Sequence, residues 1–268
     1  MNLLQLKALG RFSMIISFTN NKGGTGKTTT TVNLATAFAL TGRRVLLIDL
    51  DPQGNSTVGV GLEKAKLLYT VYDVLTQNKK VQEVTLSTKV ENLSILPSNL
   101  DLAGAEVELS SMPGREFVLR EALSQIRHKY DAILIDCPPN VGILTLNAIV
   151  ASDLLVIPVQ CEFYPMEGLP TLLKVMNMVR SRLKTQFEYR VLLTMYDGRT
   201  GLSRSVVRQV KEKFGDRVLS VIVRRSVRMA EAPSKGIPGV LFSPKNQASE
   251  EYRALASELL APPVLMEA

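Results

Sequence analysis

Three observations predict a single α/β domain built on a mostly parallel, twisted sheet with helices on both faces. Short β-branched runs alternate with helical stretches along the chain. Ala132 to Ile135 (AILI) is apolar throughout, as a strand buried on both faces must be. The 268 residues, 46% of them hydrophobic, suffice for one sizeable core and sit at the upper end of what one domain holds.

Each element is legible in order. Met14 to Thr19 (MIISFT) reads as the first strand, running into glycine-rich Asn21 to Lys27 and a helix from Thr28 to about Thr41. Arg44 to Ile48 is a second strand, ending at Asp49 before the turn-rich LDPQGN. Asn92 to Leu96 makes a weaker strand, followed by PSNLDLAGAEVEL, where Ser98 or Asn99 suits the cap of a short helix. Arg115 to His128 reads as a helix with Phe117, Leu119, Leu123 and Ile126 apolar, and the strand Ala132 to Ile135 ends at Asp136. Leu154 to Val159 and Arg190 to Met195 are strands separated by a long helix through about Lys184. A helix from Leu202 to Phe214, a strand from Val218 to Val223 and a helix from about Ala248 to Leu260 complete the pattern. The expected division is an N-terminal extension over 1–13, one domain over 14–261 and a short tail over 262–268.

Composition narrows the function classes. Two cysteines are too few for a disulfide framework or a four-thiolate zinc site. No apolar run approaches the roughly 20 residues of a membrane span, and MNLLQLKALGRFS lacks a small-residue cleavage site, so a soluble, cytoplasmic protein is expected. The one histidine, His128, sits at a helix end, which leaves a metalloenzyme or Ser-His hydrolase without support.

The strongest chemical signal is NKGGTGKTTTT, Asn21 to Thr31, between a strand and a helix. A phosphate needs inward-pointing N–H groups; Gly23, Gly24 and Gly26 carry no Cβ to block its approach and permit positive φ. Together with Thr25 and Thr29 they form the expected phosphate loop, at the positive end of the following helix. Lys27 reaches the β- and γ-phosphates and Thr28 can ligate Mg²⁺, which makes a P-loop NTPase the expected fold. The usual loop has glycine where this chain has Asn21, and a second lysine, Lys22, precedes the glycine pair. That lysine can stay solvated or point toward nucleotide bound by a neighbouring copy.

Ligands of open parallel sheets bind beyond the carboxyl ends of the strands. Asp49 and Asp136 follow two such ends, and Asp51 lies two residues further on.

These motifs carry a resemblance. KGGTGKTT is similar to the deviant Walker A loop of the ParA/MinD ATPases, whose extra lysine reaches across a nucleotide-sandwich dimer. PSNLDLAGAEVEL, DCPPNVGILTLNAI, PVQCEFYPMEGL, LLTMYDGRT and VRMAEAPSKG resemble the ParA/Soj branch that partitions chromosomes and plasmids. The resemblance implies that Asp136 is the Walker B carboxylate on Mg²⁺, that Asp51 positions the attacking water, and that Asp49 supports the metal shell. The nitrogenase iron protein is a relative, but Cys137 and Cys161 read as small core residues. Members of the MinD branch end in a basic membrane helix; APPVLMEA has no basic residue, so no membrane docking is expected there.

Positive charge is confined to one region. Residues 180–228 carry 13 basic and four acidic side chains, a local +9, although the whole chain is only +7. Arg204, Arg208 and Lys211 fall on one helical face, with Val207, Val210 and Phe214 expected on the buried one. Arg199, Arg224, Arg225 and Arg228 flank them. Seven such groups suit salt-sensitive, sequence-independent binding to double-stranded DNA, and no base-reading motif is present. The family's DNA contacts resemble Arg199 and Arg228; its usual Pro-Arg-Asn is here Val223-Arg224-Arg225, which leaves the adenine contacts unassigned. The resemblance therefore implies an ATP-driven homodimer on the nucleoid, stimulated by a ParB-like centromere-binding protein. The alternatives are a relative that positions a protein organelle or cluster, and a small-molecule P-loop enzyme.

Overall fold

The computed structural model describes residues 13–162, 166 and 168–260. The expected extension up to residue 12, the tail, and residues 163–165 and 167 of the PVQCEFYPMEGL stretch lie outside the described residues.

The strands are β1 (Met14–Phe18), β2 (Val45–Asp49), β3 (Leu86–Ser87), β4 (Leu93–Leu96), β5 (Ala132–Asp136), β6 (Leu154–Gln160), β7 (Glu188–Tyr196) and β8 (Val218–Arg224). They form one sheet in the order β3-β4-β2-β5-β1-β6-β7-β8. Every pairing is parallel except the antiparallel edge strand β3 on β4. The helices are α1 (Lys27–Leu40), α2 (Asn55–Gly59), α3 (Val71–Thr76), α4 (Val81–Val84), α5 (Leu102–Ser110) and α6 (Val118–Ser124). After them come α7 (Ile143–Ala151), α8 (Leu169–Arg182), α9 (Gly201–Phe214), α10 (Val227–Glu231), α11 (Gly239–Phe242) and α12 (Gln247–Leu260).

Alternate strand residues face opposite sides, so a strand buried on both must be apolar at every position. Ile16, Phe18, Leu47 and Leu134 pack against Leu34 and Phe38 of α1 and Tyr252 and Leu255 of α12. On the other side Ile48, Ile133 and Ile135 meet Leu75, Leu102, Leu119 and Leu144, from α3, α5, α6 and α7. Ile157, Val191 and Leu193 meet Leu172 and Met176 of α8 and Val206 and Val210 of α9.

Several local expectations need correcting. The stretch from Arg115 to His128 is helical only over α6; it tightens into a 3₁₀ turn at Arg127–Lys129, where His128 is exposed. Neither Ser98 nor Asn99 caps α5: the Ser98 hydroxyl donates to the Asp51 carbonyl (2.8 Å), and Asn99 accepts from the Asp101 N–H (3.1 Å). On α9 the buried stripe is Val206, Val210 and Phe214, with Val207 half-buried, because a stripe at i, i+4 and i+8 drifts around the helix. Helix α7 (ILTLNAIVA) went unread because it is apolar nearly all round, which erases the 3.6-residue period.

Candidate functional site

The site sits at the carboxyl ends of β1, β2 and β5. The connection leaving β1 crosses over β5 to reach β2, and the one leaving β5 crosses over β1 to reach β6. Two connections running in opposite directions open a crevice above β1, where an open sheet binds its ligand. The glycine loop fills it.

Only two of its glycines are conformationally required. Gly24 (φ 73°) and Gly26 (φ 87°) are left-handed, and Gly26 is the residue on which α1 begins. Gly23 is not left-handed, and an added Cβ there would meet nothing within 4 Å. The loop is held from the side by β6 and β7. Gln160 Nε2 donates to the Gly24 carbonyl, and Thr194 Oγ1 donates to the Thr25 carbonyl at 2.9 Å. The hydroxyl of Thr25 is buried without a hydrogen-bond partner among the described residues.

Lys27 folds back under this loop, its Nζ donating to the Lys22 carbonyl at 3.1 Å. It is only 7% exposed, and burial lowers its pKa, partly offset by Asp136 and Asp51. Asp136 is fully buried; its Oδ2 accepts from Ser56 Oγ at 2.8 Å, and its Oδ1 has no hydrogen-bond partner among the described residues. Burial first, then the neighbouring Asp49, pushes the Asp136 pKa up, while the nearby Thr28 hydroxyl favours the ionised form without bonding Oδ1.

Asp49 is differently engaged. Its Oδ2 accepts from the N–H and hydroxyl of Thr57, both at 2.7 Å, and its Oδ1 accepts from the Asp51 N–H at 3.3 Å. Through both oxygens it ties down the 51–57 loop. Asp51 stands on that loop, 8% exposed, with Oδ1 accepting from the Gln53 N–H at 2.9 Å. Lys22 is half-buried, its N–H held by Asn20 Oδ1 at 3.1 Å.

Beside the loop lies a cleft of about 220 Å³ lined by Gly26, Thr29, Val223, Ser226, Met229 and Tyr252. Arg224 and Arg225 also line it. Sequence reasoning missed this cleft, because its walls come from α1, β8, α10 and α12, which are adjacent only in the fold.

The arrangement can be compared with known proteins. A family model described as an AAA domain matches residues 13–189. The sporulation initiation inhibitor protein Soj of Bacillus subtilis is 48% identical over 92% of this chain and 98% of its own. The chain belongs to the ParA/Soj family of chromosome-partitioning ATPases. The chromosome partitioning protein ParA of Myxococcus xanthus is 44% identical over 92% of this chain and 87% of its own. A structure of cobyrinic acid a,c-diamide synthase from Mycobacterium smegmatis with bound ADP and magnesium superposes with a TM-score of 0.82. It is 33% identical and covers 93% of this chain and 94% of that one.

The basic groups of this ParA/Soj-family chain do not form one set. Arg199 pairs with Asp197 (2.7 Å) in the loop after β7, and Arg228 with Glu231 (3.0 Å) on α10; both are exposed. Arg204, Arg208 and Lys211 lie exposed along α9. Arg224 and Arg225 are drawn instead toward Glu251 (3.3 Å) and Glu162 at the cleft. Ser56 and Thr57, which orient the two aspartates, also went unread; the signal was two small hydroxyl residues directly after DPQGN. Among the described residues no helix is long and apolar enough to cross a membrane.

Proposed function

We propose that this ParA/Soj-family ATPase hydrolyses ATP with Mg²⁺, dimerises around two nucleotides and, in that form, grips double-stranded DNA without regard to sequence. The observation that carries the reading is a left-handed glycine loop with Lys27 buried beneath it, next to the buried Asp136, whose Oδ1 has no hydrogen-bond partner among the described residues.

The residues present fit the metal. Among the described residues no group of three or more His, Cys, Asp or Glu side chains can hold an ion alone. A cation here therefore takes its remaining ligands from phosphate oxygens and water, as Mg²⁺ prefers. Thr28 and the orphan oxygen of Asp136 are the protein's contribution, directly or through water. When bound, Mg²⁺ neutralises charge on the β- and γ-phosphates.

The chain's own groups do the rest. The N–H groups of Gly23 to Thr29 cradle phosphate oxygens, and Lys27 leaves the Lys22 carbonyl to take them as well. Asp51 orients the attacking water in line with the leaving oxygen. Lys22 reaches the partner protomer's nucleotide, so that dimerisation completes each site. The cleft beside Gly26 receives the base. Arg199, Arg204, Arg208, Lys211 and Arg228 of both protomers then present one cationic surface, with Arg224 and Arg225 contributing chiefly to the cleft. A ParB-like centromere-binding partner stimulates hydrolysis and release, which places the protein in the cytoplasm, on the nucleoid.

ATP turnover and duplex binding, measured with ATP plus Mg²⁺ and again with the metal chelated, test the reading. Both require the metal if it is right, and metal-independent turnover contradicts it. A second reading, a small-molecule enzyme, is favoured by the similarity to the diamide synthase structure. Turnover stimulated by a metabolite and indifferent to DNA would support that one.

A further inference from the structure

The basic region has a second end that the site does not use. Strand β7 starts at Glu188 and ends at Tyr196, so its two ends lie about 26 Å apart at roughly 3.3 Å per residue. Arg199 follows the end near the nucleotide loop. At the opposite end an aromatic pair carries two guanidinium groups: Arg180 stands 4.5 Å from the Phe187 ring and 5.8 Å from Tyr189, and Arg217 stacks on Tyr189 at 4.3 Å. Arg180 also donates to the Phe187 carbonyl at 2.7 Å. Around this ladder Arg182, Lys184 and Lys213 are exposed.

The backbone there is held in shape. Lys184 takes the left-handed conformation (φ 49°) in which helices commonly end, just past the last turn of α8. The turn it makes, with Arg180, Thr185, Gln186 and Phe187, lines a shallow basin of about 400 Å³. The carboxylates at this end are Glu188, 3.5 Å from Arg190, and the exposed Glu212 and Asp216, next in sequence to Lys213 and Arg217.

Helix α9 joins the two ends. It runs back along β7 for about 20 Å, at 1.5 Å per residue, and Arg204, Arg208 and Lys211 are exposed along it. We infer that the far-end cluster of Arg180, Arg182, Lys184, Lys213 and Arg217 is a second phosphate-contact site for duplex DNA, continuous with α9. Stacked guanidiniums lose little freedom on meeting a phosphate, because their planes are already fixed. A track of about 26 Å spans about eight phosphates of one strand at 3.4 Å each. DNA then lies along the flank of each protomer and not only across the rim near the nucleotides.

The inference rests on the DNA-binding reading, and one experiment separates their failures. Duplex affinity is measured against salt for the ATP-bound wild type, for Arg182→Gln/Lys184→Asn/Lys213→Gln, and for Arg199→Ala/Arg228→Ala. Asparagine at 184 tolerates the left-handed backbone, and all three replaced side chains are exposed, so the fold is spared. The far-end variant is expected to bind at least tenfold more weakly, with a log–log salt slope shallower by about 0.9 per lost contact, about 2.7 in all per protomer. Its ATP turnover without DNA should match wild type. If the wild type does not bind duplex at all, the function reading fails. If the wild type binds and the far-end variant keeps its affinity and slope, only this inference is overturned. Loss of binding to anionic phospholipid vesicles with DNA binding unchanged also overturns it.

Discussion

Asp49 and Asp136 stand side by side at the ends of β2 and β5, in register and both fully buried, yet they are bonded differently. Asp49 spends both oxygens on Thr57 and the Asp51 N–H, whereas Asp136 leaves Oδ1 open. Burial raises the pKa of both, and the Asp49 charge adds to the rise at Asp136.

This pair predicts a pH dependence. Burial and Asp49 raise the Asp136 pKa from 3.8 to about 7, so between those values the folded chain keeps a proton that the unfolded chain releases. Stability of the nucleotide-free protein therefore falls as pH rises through that window and levels off above it. Asp136→Asn should flatten the fall and melt higher than wild type at pH 8. Thermal melts across pH check this, and an unchanged slope in the variant assigns the proton elsewhere.

Lys27→Ala should weaken ATP binding by about 100-fold, since a buried, charge-assisted contact contributes up to about 3 kcal/mol. The fold should survive, because among the described residues the Lys27 ammonium donates to the Lys22 carbonyl alone. A fluorescent ATP analogue reads the affinity; wild-type binding would remove Lys27 from the phosphate site.

Lys22→Ala should keep ATP binding and lose ATP-dependent dimerisation. Its side chain is half-buried on the rim of the loop, where a partner's nucleotide can meet it. Light scattering with and without ATP measures the mass, and a variant that still doubles would show that Lys22 does not cross.

The arginines should divide into two classes. Arg199 and Arg228 are themselves exposed and pair with Asp197 and Glu231 on their own segments, and such surface pairs are weak enough for a phosphate to replace. Arg199→Ala/Arg228→Ala should therefore weaken binding to every duplex sequence alike. Arg225→Ala lies at the cleft and should change ATP affinity more than DNA affinity. Equal loss of DNA binding from both variants would merge the classes.

Much of this was legible in the chain because it is local. A glycine loop between an apolar strand and a helix fixes its own geometry, and β5 announces its burial by having no polar residue before Asp136. The supporting contacts were not legible. Ser56 reaches Asp136 across 80 residues, Thr194 reaches Thr25 across 169, and Val240 donates its N–H to Asn33 across 207. Charge counting along residues 180–228 gave the sum correctly but not its distribution. The strands of that region run end to end through the domain, so neighbours in sequence such as Arg190 and Arg199 belong to opposite ends.

One measurement bears most directly on the whole account: the mass and duplex affinity of Asp51→Ala, compared in ATP with Mg²⁺ and in nucleotide-free buffer at the same salt. Without Asp51 to position water, the variant should accumulate as a DNA-bound dimer in ATP and revert to a weakly binding monomer without it. Equal affinity in both buffers, with the protein monomeric throughout, would contradict the coupling of nucleotide, dimer and DNA.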